Sequence, residues 1–402
     1  IFWGLNFKEE FKNRTGYDIT PYLPFIVGAS GRVDSGSKPV TFDYQPADDS
    51  DLGAVKKVRD DFFRVMTDMY EENVLEPLAD WLHSMNMTLR AEPAYGATYE
   101  ISTNAKYIDK IETESFAQNA DIDLYRGILG GANMYGRVFS SETGAVGGNN
   151  YTFNMDEWTQ LCYLQFVNGV QRTVFHGYAG IEGAEGTQWP GHEGMYSVFS
   201  GRFNHRQPAS IQYPQWTEML TRNQKALRQG VASRDIAILR TDFAYMNYGF
   251  KNGWSNFTNN YQMHDTPFFW NDLELQHNGY TYDYFSPMLL TDADNVSWTS
   301  DALQPDGPAY QAIMLYQEEL EYEAAEKLLE IAKDGLPIVF VNHNTEYVDN
   351  AGTFAEHQVA ASKSRHTDHT DAELQAVVAQ IKALPNVATV DSPADAMEQL
   401  QK

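Results

Sequence analysis

Arg137-Val138-Phe139-Ser140-Ser141-Glu142, entered from a helical stretch at Ile122 to Tyr135, is the phrase on which the fold turns. A helix that runs directly into a short strand ending in a polar residue is the repeating unit of an α/β protein. Upstream, Val55, Val58, Phe62, Val65, Met66, Met69, Leu75, Leu78, Trp81 and Leu82 keep the three-to-four spacing of a long helix or helix pair. That helix leads into Thr88-Leu89-Arg90-Ala91-Glu92, which stops at Pro93. Downstream, a helix from Met155 to Val170 leads into Arg172-Thr173-Val174-Phe175-His176-Gly177. Three such units admit an α/β barrel or a doubly wound sheet. Barrel enzymes carry their chemistry at the C-terminal ends of several strands, and Glu92, Glu142 and His176 all fall there. The expectation for residues 1–214 is therefore part of a (β/α) barrel.

The character changes near Pro214. A helix from Gln215 to Gln229 precedes four continuous apolar runs, Ile236–Leu239, Ala312–Leu315, Ile338–Val341 and Val387–Val390, of the kind buried on both sheet faces. Helical stretches at Tyr322 to Lys333 and Asp371 to Leu384 lie between them, which describes a second, flavodoxin-like α/β domain over residues 215–402. The segment from Thr241 to Ser300, rich in Tyr, Asn, Phe and Trp, reads as an insertion able to reach the barrel mouth. The Gly-rich, aromatic stretch Gly177 to Gly201, with Glu182, Glu185, Trp189, His192 and Glu193, is long enough for a functional loop.

A formal net charge of -26 over 402 residues, with no basic cluster, argues against nucleic acid as a partner. No apolar run approaches the roughly 20 residues of a membrane-spanning helix. The first residues carry no secretory leader and read as internal to a longer precursor. The single cysteine, Cys162, sits in an apolar run and reads as a buried structural thiol. Sequons at Asn13, Asn86, Asn150, Asn256 and Asn295, with the acidity, 24 Tyr and 8 Trp, point to a secreted, extracellular glycoprotein with rings suited to sugar faces. Neither a Gly-x-Gly-x-x-Gly nor a phosphate-binding Gly-Lys-Ser/Thr motif is present, so no nucleotide cofactor is expected, and no zinc motif or nucleophile elbow occurs.

Glycoside cleavage needs two carboxyl groups on opposite sides of the scissile bond. Glu142 is the first candidate, since it ends an apolar strand, follows two serines able to hydrogen-bond it and precedes small residues that leave room for a ligand. Glu112 and Glu114 alternate, which places them on one face of an extended chain. Glu92 has Arg90 as its expected ion-pair partner. Glu92, Glu112, His176, Tyr178 and Trp189 are candidates to contact substrate, and Asp292 to Asn295 is an oxygen-rich stretch of the kind that binds calcium.

Several phrases, in order, resemble glycoside hydrolase family 106, the α-L-rhamnosidases. They are Phe7 to Pro24, with its Arg-x-Gly-Tyr-Asp turn, Arg59-Asp60-Asp61-Phe62, Arg90 to Gly96, Ile111-Glu112-Thr113-Glu114-Ser115-Phe116, Ser140 to Thr143 and Phe175-His176-Gly177-Tyr178. The resemblance covers roughly Phe7 to Tyr178. It implies the C-terminal part of a (β/α)8 TIM-type barrel and an inverting, exo-acting hydrolase of terminal α-L-rhamnose that uses two glutamates and calcium at the sugar site. Glu142 is carried over as one catalytic carboxylate, with Glu114 next. The family's barrel begins upstream, so the resemblance also implies an N-terminal polypeptide that completes it. A barrel glycosidase for another sugar, such as a galactosidase, and a carbohydrate-binding protein without turnover are the alternatives.

Overall fold

A computed structural model describes residues 3–30, 32–34, 39–41, 52–93, 100–115, 125–145, 151–178, 201–241, 274–342, 359–365 and 368–401. The chain opens with helix α1 (Phe7–Thr15), a short helix Leu23–Ser30 and a hairpin of Arg32–Asp34 with Pro39–Thr41. The long helix α2 (Leu52–Tyr70) follows, and a π-helical turn, Glu71–Leu75, passes it into α3 (Glu76–Ser84). The helix pair expected between Asp51 and Met85 is thus present. Its two halves serve different sheets.

The first sheet is parallel, in the order β1 (Arg90–Ala91), β2 (Lys110–Glu114), β3 (Ser140–Thr143), β4 (Arg172–Phe175). Two helices alternate with its last strands, α4 (Leu129–Met134) before β3 and α5 (Met155–Val167) before β4. The apolar side of the sheet is closed by Leu75 and Ala79 at the start of α3, packed with Leu89, Ile111, Tyr125, Leu129 and Phe139. Helix α5 starts cleanly because Asn154 caps it, accepting from the Asp156 and Glu157 amides while Glu157 answers the Asn154 amide. It is bolted to β3 by the buried Gln165, which donates to the Ser141 hydroxyl at 2.9 Å and accepts from Thr143 at 2.9 Å. Cys162 on α5 lies fully buried with Trp158, Phe203 and Trp216, and burial pushes its thiol up to about 12, an inert packing role.

Helix α6 (Tyr213–Leu227) leads to the second sheet, also parallel. Its strands are β5 (Ile236–Leu239), β6 (Tyr282–Phe285), β7 (Ala312–Leu315), β8 (Ile338–Val341) and β9 (Val387–Val390), in spatial order β6-β5-β7-β8-β9. Ala237, Ile313, Ile338 and Phe340 face α7 (Tyr322–Lys333) and α8 (Asp371–Lys382). Ile238, Tyr284, Met314, Val339 and Val390 face α9 (Pro393–Leu400), and also Phe7 and Phe11 of α1 and Val58, Phe62 and Met66 of α2. The core of this sheet therefore draws on residues from both sides of position 214. Tyr282–Phe285, placed by sequence within an insertion, is one of its strands. Asp283 disguises it: the carboxylate is completely buried and is held by Arg234 at 3.0 Å, Asn133 at 2.6 Å and Tyr310 at 2.9 Å.

The two sheets meet at α4. A Cβ built on Gly130 would stand 2.2 Å from the Tyr284 carbonyl oxygen, and one on Gly131 would stand 2.1 Å from that of Ser102. The helix backbone thus lies directly against the edge strand β6 and covers it. Gly130→Ala must push two backbones apart, at a cost of about 3 kcal/mol or more. Gly4→Ala, with nothing within 4 Å, should be neutral by comparison. Urea denaturation of both variants checks this, and equal midpoints would refute the close approach.

Candidate functional site

The register of the first sheet decides which side chains share a face. Glu112 is paired with Ser140 and Glu114 with Glu142, while Ser140 is paired with Arg172. In a parallel sheet, registered residues point the same way, so Glu112, Glu114, Ser140, Glu142 and Arg172 stand on the face opposite Ile111 and Phe139. Ala91 is paired with Ile111, which brings Glu92 to the level of Glu112 on that same face. This face of the sheet is therefore polar and charged, with Glu112, Glu114 and Ser140 buried on it, where a half-barrel is expected to leave an apolar face bare.

Within this face the carboxylates form two layers. Glu112, deeper and 4% exposed, accepts from Ser140 Oγ at 2.8 Å and pairs with Arg90 Nη1 at 3.2 Å. Burial raises its pKa, opposed by Ser140 and Arg90. Glu114 and Glu142 stand one layer up, at the carboxyl ends of adjacent strands roughly 4.8 Å apart. Glu92 is held up to about 9, first by burial and then by Glu114, Glu142 and Glu112, in that order; Arg90 only partly offsets them. Two like charges so close cannot both ionise cheaply, so one proton stays on this group at neutral pH.

These contacts correct two expectations. The serines before Glu142 do not serve its carboxylate: Ser140 bonds Glu112, while Ser141 accepts from Gln165 on the other face. Arg90 is the ion-pair partner of Glu112, leaving Glu92 the more strongly perturbed acid. The sequence reading passes over Arg172 and Ser115. Arg172 lowers the pKa of Glu112, and the hydroxyl of Ser115 accepts from the Gly144 amide at 2.9 Å, tying the end of β2 to the end of β3. Arg172 opens β4 level with Ser140 and Glu112, and Ser115 follows Glu114 at the end of β2.

His176 follows β4, with its amide donating to Thr143 at 2.7 Å, so it borders Glu142 across one strand. Tyr178 is 60% exposed, its hydroxyl 3.5 Å from His205 Nδ1. Trp189, Glu182, Glu185, His192 and Glu193 lie outside the described residues, as do the sequons Asn150 and Asn256. Asn13 and Asn86 are exposed, the latter in a left-handed turn at φ 57°. Asn295 is exposed but donates its amide to Asp292. Asp292 also takes Tyr135 at 2.7 Å and Lys106 at 3.2 Å. Among the described residues no three His, Cys, Asp or Glu side chains are arranged to hold a metal ion, and no helix is long and apolar enough to cross a membrane.

The raised Glu92 gives a sign for stability against pH. Between its ordinary 4.5 and about 9 the folded chain keeps a proton that the unfolded chain releases. Stability is therefore lost as pH rises through that window, by at most about 1.4 kcal/mol per pH unit for one proton. Glu92→Gln should match the wild type at pH 4 and exceed it at pH 9 in thermal midpoint. Parallel curves at both ends would remove the carboxylate cluster.

Comparisons with known proteins bear on this arrangement. No curated protein matches the chain. Among solved structures, a rhamnosidase from Novosphingobium sp. PP1Y is similar over 99% of this chain and 34% of its own, with TM-score 0.62 and 16% identity. An apo exo-carrageenase of glycoside hydrolase family 42 from Bacteroides ovatus is similar over 98% of this chain and 51% of its own, with TM-score 0.51 and 11% identity. A β-galactosidase from Rahnella sp. R3 is similar over 84% and 48%, with TM-score 0.50 and 11% identity. At these identities the likeness is one of fold, and the chain spans about a third of the rhamnosidase's length. The family model described as alpha-L-rhamnosidase matches residues 2–346. With that match running over most of its length, and with its glutamates gathered at the strand ends, the chain belongs to glycoside hydrolase family 106.

Proposed function

We propose that this chain is the catalytic part of a secreted, exo-acting hydrolase that releases terminal α-L-rhamnose from polysaccharide or glycoconjugate with inversion. The observation that carries the reading is the placement of Glu92, Glu114 and Glu142 on one sheet face at the carboxyl ends of three parallel strands. Glu92, protonated at neutral pH, forms the acid side and protonates the leaving oxygen, with Glu114 beside it on the next strand. Glu142, beyond Glu114, takes the proton of the attacking water. Glu112, fixed by Arg90 and Ser140, shapes the floor, while His176 and Tyr178 border the entrance to receive sugar hydroxyls.

The first sheet, in this reading, is part of a (β/α)8 barrel over residues 1–214, and the second is a flavodoxin-like accessory domain over 215–402. The order β6-β5-β7-β8-β9 is that of such doubly wound sheets. Completion of the barrel by further polypeptide is supported by α3. Beside the β1 edge, Val74, Leu78, Trp81 and Met85 leave an apolar stripe exposed at helical spacing, the surface a neighbouring βα unit would cover.

The full-length protein, incubated with a rhamnose-terminated pectic or gum oligosaccharide and followed by proton NMR, should release β-L-rhamnose first. Glu142→Gln should lower kcat by about 10²- to 10⁴-fold. Release of the α anomer would overturn inversion. Sugar binding without release by the wild type would favour the carbohydrate-binding alternative, and release of a different terminal sugar would favour another glycosidase.

A further inference from the structure

The second sheet switches direction between β5 and β7, and the crevice at the carboxyl ends of such strands is where doubly wound domains take their ligands. Here the chain fills much of that place itself. Thr241, just past β5, donates its amide to Gln317 at 2.8 Å and its hydroxyl to Glu321 at 3.2 Å. Arg365, completely buried, lies among them: Nε is 3.5 Å from Glu321, Nη1 3.4 Å from Glu319 and Nη2 3.7 Å from Asp60 of α2. Burial opposes the guanidinium charge, but Asp60, Glu321, Glu319 and Glu100 together outweigh it and keep it protonated. Asp60 and Glu100 are each 2% exposed, and both come from the half of the chain that carries the glutamate site.

Those two acids bracket the path to Glu92. Helix α2, with Asp60, continues through the π-turn and α3 to β1, and Glu92 directly follows β1. Glu100 is where the connection launched at Glu92 re-enters the described structure. The returning segment is bound to α2 at two further points. The Glu100 amide donates to Thr67 at 3.1 Å, and Thr103 donates to Glu71 at 2.5 Å. Helix α2 and the Glu100–Thr103 segment thus form one body, and Arg365 fastens it to the accessory sheet.

We propose that Arg365 is a positioning residue of the hydrolase, the clamp through which the accessory domain sets where Glu92 stands relative to Glu114 and Glu142. The ligand crevice of the accessory domain serves as an internal ionic joint. The proposal rests on the hydrolase reading for its catalytic consequence, and on the Asp60, Glu319 and Glu321 contacts for its geometry. Misplacing a reacting group by about 1 Å can cost on the order of 10²-fold in rate, so loosening this joint should reach catalysis without any contact to substrate.

The test uses full-length Arg365→Met, Arg365→Lys and Glu100→Gln, with amide exchange across residues 100–107 and steady-state kinetics on a rhamnoside. Arg365→Met should speed exchange there and lower kcat about tenfold or more, with KM changed less than about threefold. Arg365→Lys, which keeps the charge, should recover most of kcat. If Arg365→Met does not fold, Glu100→Gln decides: it leaves the Asp60, Glu319 and Glu321 pairs intact and should show the same split. Wild-type kcat in a folded Arg365→Met or Glu100→Gln, or unchanged exchange, overturns the clamp. A wild type that hydrolyses no rhamnoside defeats the hydrolase reading instead, and the exchange measurement alone then judges the joint.

Discussion

Everything in this molecule depends on how closely α4 can lie between its two sheets. Gly130 and Gly131 bring its backbone within contact distance of Tyr284 on one side and Ser102 on the other, a separation that no side chain could share. Helix α4 links β2, which ends at Glu114, to β3, which carries Glu142. The same helix therefore seals the edge of the accessory sheet and fixes two neighbouring glutamates in register. Asp283 completes the seam: its fully buried carboxylate accepts from Asn133 of α4 as well as from Arg234 and Tyr310. A buried acid with that many donors holds a geometry because every alternative leaves it unsatisfied.

The other join is made by the helix pair α2–α3. Helix α2 turns Val58, Phe62 and Met66 to the accessory sheet, and from the end of the π-turn onward Leu75 and Ala79 face the first sheet, with Tyr70 bordering both cores. An uninterrupted α-helix would keep one apolar stripe. The extra residue of a π-turn rotates the stripe and lets one helical run serve two sheets. The phrase Arg59-Asp60-Asp61-Phe62 gains a physical meaning here. Asp61 takes the hydroxyl of Tyr17 at 3.0 Å, Phe62 packs edge-on against Phe7, and Asp60 reaches Arg365.

Periodicity made most of this architecture readable. Ile236–Leu239, Ala312–Leu315, Ile338–Val341 and Val387–Val390 are strands at the expected bounds because four continuous apolar residues between helices leave few other fates. Tyr282–Phe285 escaped because its central aspartate contradicts that pattern, and the partners that make Asp283 tolerable lie far away in sequence. In the site, alternation alone predicted that Glu112 and Glu114 share a face. It could not predict that Arg90 would choose Glu112 over its near neighbour Glu92, because that choice depends on the β1–β2 register, which the sequence does not display.

The two acidic clusters show what separates structural from chemical burial of glutamate. Around Arg365, Asp60, Glu319 and Glu321 are gathered by one enclosed guanidinium, with Glu100 adding favourable charge. On the polar face of the first sheet, Arg90 is engaged with Glu112, and repulsion from Glu114 and Glu142 adds to burial in keeping a proton on Glu92. Residue type and depth are similar in the two places, so neither distinguishes them. The difference is the placement of the cation: central in the joint, and one layer too deep in the site. Burial and the neighbouring acids keep the proton on Glu92, and the fold secures this by engaging Arg90 with Glu112 below it.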